Sequence, residues 1–322
     1  YAGPLSKHLN LCKVVFMQNN AKKQKMNKKP QIFCVGSIVW DIIGRSKIKM
    51  PLGADRPGDI IKIPGGVALN LAMKLRKNNI QVSIIGVIGK DTAGKELLEQ
   101  IKKRGITTEH LCILKNLPTD TYIAIEGSNG LIGAIADFRT LETHEEQILT
   151  SLQNAITKLE NENIQPIIAL DGNLSERLLS KLNSDTKFRS LDIRIAPASP
   201  GKAKRLKSCL NGNITTIYVN LEEASFILNQ TFLSSRAAAK ALAANCNTRV
   251  IVTDGPRSVT LVADDKLISA KPPTVKVARI TGAGDVFMAS HIQAEMMGHK
   301  HLNAIEFALN QTAKYISSSD KL

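Results

Sequence analysis

Short apolar runs that stop at a glycine, an aspartate or an asparagine recur along this chain, and they constrain its fold more than any other feature. Stretches with the 3.6-residue apolar spacing of helices separate most of them. Repeated strand–helix units predict a mostly parallel sheet covered by helices on both faces, an α/β fold with three αβα layers. The expected strands are residues 31–36, 81–89, 110–114, 166–170, 191–195, 215–219 and 250–253.

Two regions interrupt this alternation. Residues 44–64 are punctuated by proline and glycine, and residues 120–138 read as two strands around a polar turn at 127–130. They predict a small sheet apart from the main one, built from segments at about 41–64 and 119–139. We expect this sheet to act as a lid that closes over a substrate.

Composition limits the class of protein. The 322 residues can bury a large core. No run of 18 apolar residues is present, so we expect no transmembrane helix and, for residues 31–322, no membrane partner. The five cysteines are odd in number and form no CxxC pair, which indicates a reducing compartment and a cytoplasmic location.

The net charge of +15 is unevenly spread. Residues 1–30 contain seven lysines and no acidic residue, whereas residues 31–322, the expected folded domain, are only moderately basic. A moderately basic domain suits an anionic substrate such as a nucleotide. A solvated, disordered tail is the favoured interpretation of residues 1–30, and contact with nucleic acid or an acidic membrane is the alternative.

Residues 280–285, Ile-Thr-Gly-Ala-Gly-Asp, precede an apolar stretch with helical spacing. They predict a tight turn that opens a helix and directs free backbone N–H groups at one point, which is a site for an anion. Asp285 would then be a base that takes a proton from a hydroxyl attacking a bound phosphate. Local spacing leaves a second interpretation open, in which Asp285 only complements the helix dipole.

Polar groups also follow the first expected strand. Asp41 lies just beyond it, where open α/β sheets gather their ligands. Gly65 and Gly66 open a helix and would let a ligand approach the backbone closely. Asn70 lies one turn into that helix. The alternatives are a turn carboxylate for Asp41 and a surface amide for Asn70.

Several enzyme classes lose support because their motifs are absent. The chain has no GxxxxGK[ST] loop, no HRD/DFG pair, no GxSxG elbow, no HExxH and no GxGxxG after the first strand. What remains is a parallel sheet with polar strand ends and one glycine-rich anion turn that carries an aspartate.

Four motifs resemble those of the ribokinase-like carbohydrate kinases, the PfkB family. Residues 281–285 resemble the family signature, and residues 65–70 resemble its GGxxxN motif. Residues 220–223 resemble its NxxE motif, and residues 253–255 its T-x-G strand end. The four occur in the order of the family and cover about residues 31–318.

The resemblance implies ATP-dependent phosphorylation of a hydroxymethyl group on a sugar or nucleoside. It makes Asp285 the general base, with phosphoryl charge stabilised by backbone N–H groups. It also implies Mg²⁺ held by Asn220 and by Glu223 through water, a homodimer formed through the lid, and a monovalent cation such as K⁺. The implied N–H donors are Gly282, Ala283 and Gly284; the sugar site is Asp41, Gly65, Gly66 and Asn70; the nucleotide site is Asn220, Glu223, Thr253, Gly255 and Thr281.

Within the family, residues 133–138 and 171–176 are similar to stretches of pseudouridine kinases. That similarity implies phosphorylation of the 5′-hydroxyl of pseudouridine, with Thr121, Asp137 and Asn173 as partners of the uracil ring. Ribokinase, fructokinase or adenosine-type activity is the alternative on the same scaffold. A non-catalytic sugar-binding regulator is more remote, because a pure binding protein has no use for the base.

Overall fold

An eight-stranded sheet forms the centre of the computed structural model, which describes residues 32–318. The strands of this sheet are β1 Ile32–Val35, β4 Val82–Ile85, β9 Ile167–Asp171, β10 Asp192–Ala196, β11 Ile214–Asn220, β12 Arg249–Thr253, β13 Val259–Ala263 and β14 Lys266–Ala270. Their order across the sheet is β14-β13-β12-β11-β10-β9-β1-β4, with β12 to β4 parallel and β13 and β14 antiparallel at one edge.

Helices cover both faces of this sheet. One face carries α1 Val67–Lys77, α2 Thr92–Lys103, α8 Ala283–Met296 and α9 His301–Ser317. The other carries α4 Glu145–Asn161, α5 Glu176–Ser184, α6 Leu221–Leu228 and α7 Ser235–Ala243, and the short α3 Arg139–Thr143 precedes them. Side chains of β1 alternate between the two cores, with Ile32 and Cys34 in one and Phe33 and Val35 in the other. The expected three-layer α/β fold is confirmed.

A second sheet has four strands, which are β2 Val39–Arg45, β3 Asp59–Gly65, β7 Thr121–Gly127 and β8 Gly130–Asp137. Their order is β3-β2-β7-β8. Because opposed residues share a face, the register places Asp41 beside Tyr122 on one face and Trp40 beside Thr121 on the other.

Two sequence expectations need correction, and one long helix was not predicted. Residues 81–89 form two strands that are interrupted at Gly86, where a Cβ would lie 2.5 Å from the Gly36 carbonyl oxygen. Only β4 joins the large sheet, while β5 Val87–Gly89 pairs with β6 Cys112–Leu114. The sequence also predicts a basic helix at about residues 201–210, and the structure shows a 3-10 helix there, Pro200–Cys209. Helix α4 was not anticipated.

The basic tail at residues 1–30 lies outside the described residues. Within residues 32–318, no helix combines the length and the apolar character needed to cross a bilayer.

Candidate active site

The carboxyl ends of parallel strands bring four distant parts of the chain to one edge of the large sheet. Ser37 follows β1, Asp171 ends β9, Asn220 ends β11 and Thr253 ends β12. Asn220 and Thr253 are direct partners in the register of β11 and β12. This is the edge where the ligands were expected from the sequence, in agreement with the rule for open α/β sheets.

The anion turn opens α8 as expected. Gly282 precedes the helix with a left-handed φ of 79°, and no side chain caps its N–H groups. In the described chain, no acceptor meets the N–H groups of Gly282, Gly284 and Asp285. The N–H of Ala283, which was expected among the donors, instead donates to the Ile280 carbonyl over 3.0 Å. The turn therefore offers three donors, one of which belongs to Asp285 itself.

Asp285 lies half-buried in the first turn of α8. Its Oδ2 accepts a hydrogen bond from Nδ2 of Asn70 on α1 over 2.9 Å. Burial raises the pKa of Asp285 to about 7, and the hydrogen bond from Asn70 opposes that rise. A carboxyl group with a pKa near 7 is well suited to accept a proton at neutral pH.

Other carboxylates lie close enough to act on Asp285. The negative charges of Asp171, Asp41 and Glu223 each raise its pKa further. Asp285 is therefore one of a group of four acidic side chains, the other three of which act on it electrostatically. Such a cluster needs positive charge from a bound ligand or cation before a polyphosphate can join it.

The two glycines before α1 are required by close packing. A Cβ at Gly65 would lie 2.1 Å from Oδ2 of Asp41, and one at Gly66 would lie 2.5 Å from the Ser37 carbonyl oxygen. Gly66 also has a φ of 94°, which side chains rarely adopt. Burial raises the pKa of Asp41 to about 6. The expected acceptor-side residues Asp41, Gly65, Gly66 and Asn70 are thus brought together.

Ser37 connects this group to β9, and no specific signal in the sequence pointed to it. Its Oγ and its N–H donate to Oδ2 of the fully buried Asp171, the N–H over 2.8 Å. The Val67 N–H at the start of α1 donates to the same hydroxyl over 3.1 Å. Asn173 donates to it from Nδ2 over 3.2 Å. This network fixes the glycine turn relative to the large sheet.

Lys202 is a second residue that the sequence did not single out. Its Nζ donates to Oδ1 of Asn173 over 2.6 Å and lies 4.5 Å from the centre of the Phe138 ring. Burial and the neighbouring Arg205 lower its pKa. Both ends of the Asn173 amide are therefore occupied, and Lys202 brings a positive charge to this side of the site.

Asn220 and Glu223 form a reciprocal cap on α6. The Asn220 N–H donates to Oε2 of Glu223, and the Glu223 N–H donates to Oδ1 of Asn220, both over 2.8 Å. The NxxE motif is thus a capping box. Burial raises the pKa of Glu223 to about 7. One carboxylate oxygen, Oε1, makes no hydrogen bond within residues 32–318, so it can face a hydrated cation.

The expected nucleotide side is more open. Thr253 donates to the Val219 carbonyl over 3.5 Å. Gly255 is exposed and has a φ of 53°, and a Cβ added there would meet no heavy atom within 4 Å. Asp254 pairs with Arg257 over 2.6 Å. Thr281 is exposed, and its carbonyl accepts a hydrogen bond from the Tyr315 hydroxyl over 3.0 Å.

Thr121 and Asp137 are not brought to the face that carries Asp41. The register pairs Thr121 with both Trp40 and Asp137, so all three share the opposite face. Asp137 instead forms an ion pair with the exposed Arg139 over 2.7 Å. Tyr122 lies on the Asp41 face. Burial raises the pKa of the Tyr122 hydroxyl, and the negative charge of Asp41 raises it further.

No three His, Cys, Asp or Glu side chains within residues 32–318 are close enough to hold a metal by themselves. The oxygen donors present, carboxylates and an amide, are nevertheless those that Mg²⁺ accepts when phosphate and water complete its shell.

Comparison with known proteins finds kinases that resemble this chain over most of its length. The chain is 25% identical over 290 residues to pseudouridine kinase from Escherichia coli strain K12, covering 88% of this chain and 89% of that protein. It is 24% identical over 301 residues to guanosine-inosine kinase from Exiguobacterium acetylicum, covering 92% and 96%.

The solved structure of Arabidopsis thaliana ribokinase complexed with ribose and ATP has the same fold, with a TM-score of 0.71 and 18% identity over 91% of this chain and 94% of that one. The family model for pfkB family carbohydrate kinases matches residues 29–319. This chain is a PfkB family carbohydrate kinase, a phosphotransferase that acts on a hydroxyl group.

Proposed function

We propose that the chain transfers the γ-phosphoryl group of ATP to the hydroxymethyl group of a nucleoside or sugar, with pseudouridine as the leading acceptor. The observation that carries the chemistry is the position of the half-buried Asp285, in the same turn that offers three free N–H groups. Its carboxylate is held by a hydrogen bond from Asn70 on α1. The acceptor oxygen forms a bond to the γ-phosphorus while the bond from that phosphorus to the ADP oxygen breaks. Asp285 takes the hydroxyl proton.

The chain's own residues then have separate roles. The N–H groups of Gly282, Gly284 and Asp285 bind the phosphoryl oxygens, where fixed donors need no reorganisation during the reaction. Asp41 and Asn70 orient the acceptor hydroxyls. Asn220 and Glu223 would hold hydrated Mg²⁺, which neutralises charge on the phosphates. Thr253, Gly255 and Thr281 border the nucleotide in this proposal.

Support for pseudouridine comes from the similarity to the kinase from E. coli and from the polar group around Asn173. The Lys202 ammonium lies next to this amide and next to the Phe138 ring. A cationic donor beside an aromatic face matches the carbonyl oxygens and the flat ring of a uracil. Relatives named ribokinase and guanosine-inosine kinase keep ribose and purine nucleosides as the rival acceptors.

An acceptor screen tests this proposal. ADP formation from ATP and Mg²⁺ is measured by chromatography with pseudouridine, uridine, adenosine, guanosine, ribose and fructose. We expect the highest kcat/KM with pseudouridine and loss of kcat by about 10³-fold or more in Asp285→Asn. Turnover of ribose without pseudouridine would refute the acceptor, and full turnover in Asp285→Asn would refute the base.

A non-catalytic sugar-binding regulator is the other outcome of this screen. It predicts sugar binding without ADP formation from any acceptor. Salt-dependent DNA binding that is lost on deleting residues 1–30 would support it.

We further propose that the four-stranded sheet serves as the lid and pairs two subunits. The face opposite Asp41 carries exposed isoleucines in adjacent register positions. They are Ile60, Ile123, Ile125 and Ile135, with 79%, 41%, 46% and 70% exposure. A second copy would cover this apolar surface.

Light scattering after size exclusion tests the pairing. We expect a dimer for the wild type and a monomer for the double variant Ile123→Lys/Ile135→Lys. Leu233→Lys is the matched control, because Leu233 is an isolated exposed side chain (91%) outside this sheet. A monomeric wild type would refute the proposal.

A further inference from the structure

The segment before the anion turn, residues 278–279, is hydrogen-bonded to the carboxyl end of α9. The Ala278 and Arg279 N–H groups both donate to the Ile316 carbonyl, over 2.8 and 3.2 Å. Helix α9 ends here, so its last carbonyl groups and the negative end of its dipole lie beside the segment that leads into the anion turn. This negative end is unfavourable for a neighbouring polyphosphate.

The Arg279 side chain lies against that helix end. Its Nε donates to the Tyr315 carbonyl over 3.1 Å, and Nη2 donates to Oγ of Ser318 over 2.8 Å. Its guanidinium carbon lies 4.0 Å from the centre of the Tyr315 ring. The guanidinium therefore binds one terminal carbonyl of α9, that of Tyr315, and is held there by two hydrogen bonds and a cation–π contact.

Tyr315 connects the end of α9 to the anion turn. Its hydroxyl donates to the Thr281 carbonyl over 3.0 Å, one residue before Gly282. The charges of Arg279 and Asp285 both act on the pKa of Tyr315, Arg279 lowering it and Asp285 raising it, against the larger rise that burial causes. Tyr315 therefore lies between Arg279 and Asp285 and is affected by the charge of both.

Within residues 32–318, the same contacts already engage the backbone oxygens beside the turn, which a monovalent cation of the kind that the family resemblance implied would need. K⁺ sites need several carbonyl or carboxylate oxygens. The Tyr315 carbonyl accepts from the Arg279 guanidinium, and the Ile316 carbonyl accepts from the Arg279 backbone N–H. The Ile280 carbonyl accepts from the Ala283 N–H, and the Thr281 carbonyl accepts from the Tyr315 hydroxyl. The guanidinium would also repel a second positive charge placed beside it. These residues do not fit K⁺.

We propose that Arg279 is a built-in cation that neutralises the end of α9 and positions the anion turn through Tyr315, so that nucleotide binding and turnover do not depend on K⁺ or Na⁺. This inference rests on the proposed kinase activity for its turnover readout, but not for its binding readout. Arg279 acts through the turn and is a positioning residue.

The first test titrates KCl into the wild-type protein at constant ionic strength, with tetramethylammonium chloride as the balancing salt. ADP is measured by chromatography, and affinity for a non-hydrolysable ATP analogue with Mg²⁺ is measured by calorimetry. We expect both kcat/KM and affinity to change less than twofold. A tenfold or larger gain with K⁺ in either quantity overturns the inference.

The second test uses Arg279→Met, which keeps the length of the side chain and removes its charge. We expect its affinity for the ATP analogue to fall at least tenfold and to be partly restored by K⁺ or by guanidinium chloride at millimolar concentration. Arg279→Lys should retain more affinity than Arg279→Met. The matched control is Arg104→Met, because Arg104 donates to the Gln100 carbonyl at the end of α2, away from the anion turn.

The outcomes separate this inference from the proposed function. If the wild type phosphorylates none of the acceptors, the proposed function fails and the calorimetric comparison still decides the role of Arg279. Equal affinity in Arg279→Met and wild type overturns the inference. A fall in affinity that neither cation relieves, together with a lower melting temperature, indicates a merely structural arginine and also overturns it. If Arg279→Met does not fold, the wild-type titration and Arg279→Lys remain decisive.

Discussion

The hydrogen bond from Asn70 to Asp285 should set the acidic limb of the pH profile. Burial raises the pKa of Asp285 to about 7, and the Asn70 amide holds it down by favouring the charged form. A hydrogen bond to a charged group contributes about 1.5–3 kcal/mol, and one pKa unit corresponds to about 1.4 kcal/mol. Since Asp285 is partly open to solvent, we take the lower end. Asn70→Ala should therefore raise this pKa by about one unit.

Asn70→Ala should therefore change both the shape of the curve of kcat/KM against pH and its height. At pH 7, the deprotonated fraction of Asp285 falls from about one half to about one tenth, so kcat/KM falls about fivefold for this reason alone. At pH 9 that part of the loss disappears. Any loss of acceptor binding by Asn70→Ala lowers the profile equally at all pH values and does not move its midpoint.

The assay measures ADP formation at low acceptor concentration between pH 5.5 and 9.5, because kcat/KM reports the pKa values of the free enzyme. Asn78→Ala is the matched control, because Asn78 directly follows α1 and donates from Nδ2 to Oε1 of Gln293 on α8 over 2.6 Å, so that its acceptor is an amide and not a carboxylate. A midpoint that stays fixed in Asn70→Ala, or that shifts equally in both variants, refutes the reasoning.

Three further outcomes follow from the site. Burial raises the pKa of Asp285 from 3.8 in the unfolded chain to about 7 in the folded one, so the native state loses stability as the pH rises through that interval. Asp285→Asn should therefore raise the melting temperature at pH 8 but not at pH 4. Equal shifts at both pH values would contradict this. Glu223→Gln keeps an acceptor for the Asn220 N–H but loses the charge, so half-maximal turnover should need about tenfold more Mg²⁺ with little change in melting temperature; an unchanged Mg²⁺ titration is the contrary result. Gly65→Ala forces a methyl group to within 2.1 Å of Asp41, so the acceptor KM should rise about tenfold or more while the ATP KM stays; a matching rise in both would argue against an acceptor-side role.

The parts of the site that the sequence predicted are those fixed by local chemistry. A glycine pair before an apolar helix, and the run from Thr281 to Asp285, demand turns with positive φ or close packing wherever they occur. Strand ends such as Asp171 and Asn220 were predictable because parallel strands present their carboxyl ends at one edge. The contact between Asn70 and Asp285 was not predictable from either stretch alone.

The parts that the sequence missed depend on register and on irregular segments. Thr121 and Asp137 were expected at the substrate, but a one-residue difference in register decides which face of a strand a side chain occupies. Lys202 lies in a 3-10 helix, which has no long apolar period to reveal its inward face. The N-x-x-E spacing at Asn220 also matches a capping box, an interpretation that the sequence could have supplied.

The position of β1 in the sheet has a consequence for synthesis. β1 lies between β4 and β9, and β9 begins at Ile167, about 130 residues after β1 ends. At about 5–20 residues per second, the ribosome needs roughly 6 to 26 seconds to supply that neighbour. Throughout this interval one apolar strand edge is unpaired and can recruit other chains. We therefore expect nascent chains that stop between β4 and β9 to aggregate unless a chaperone covers that edge.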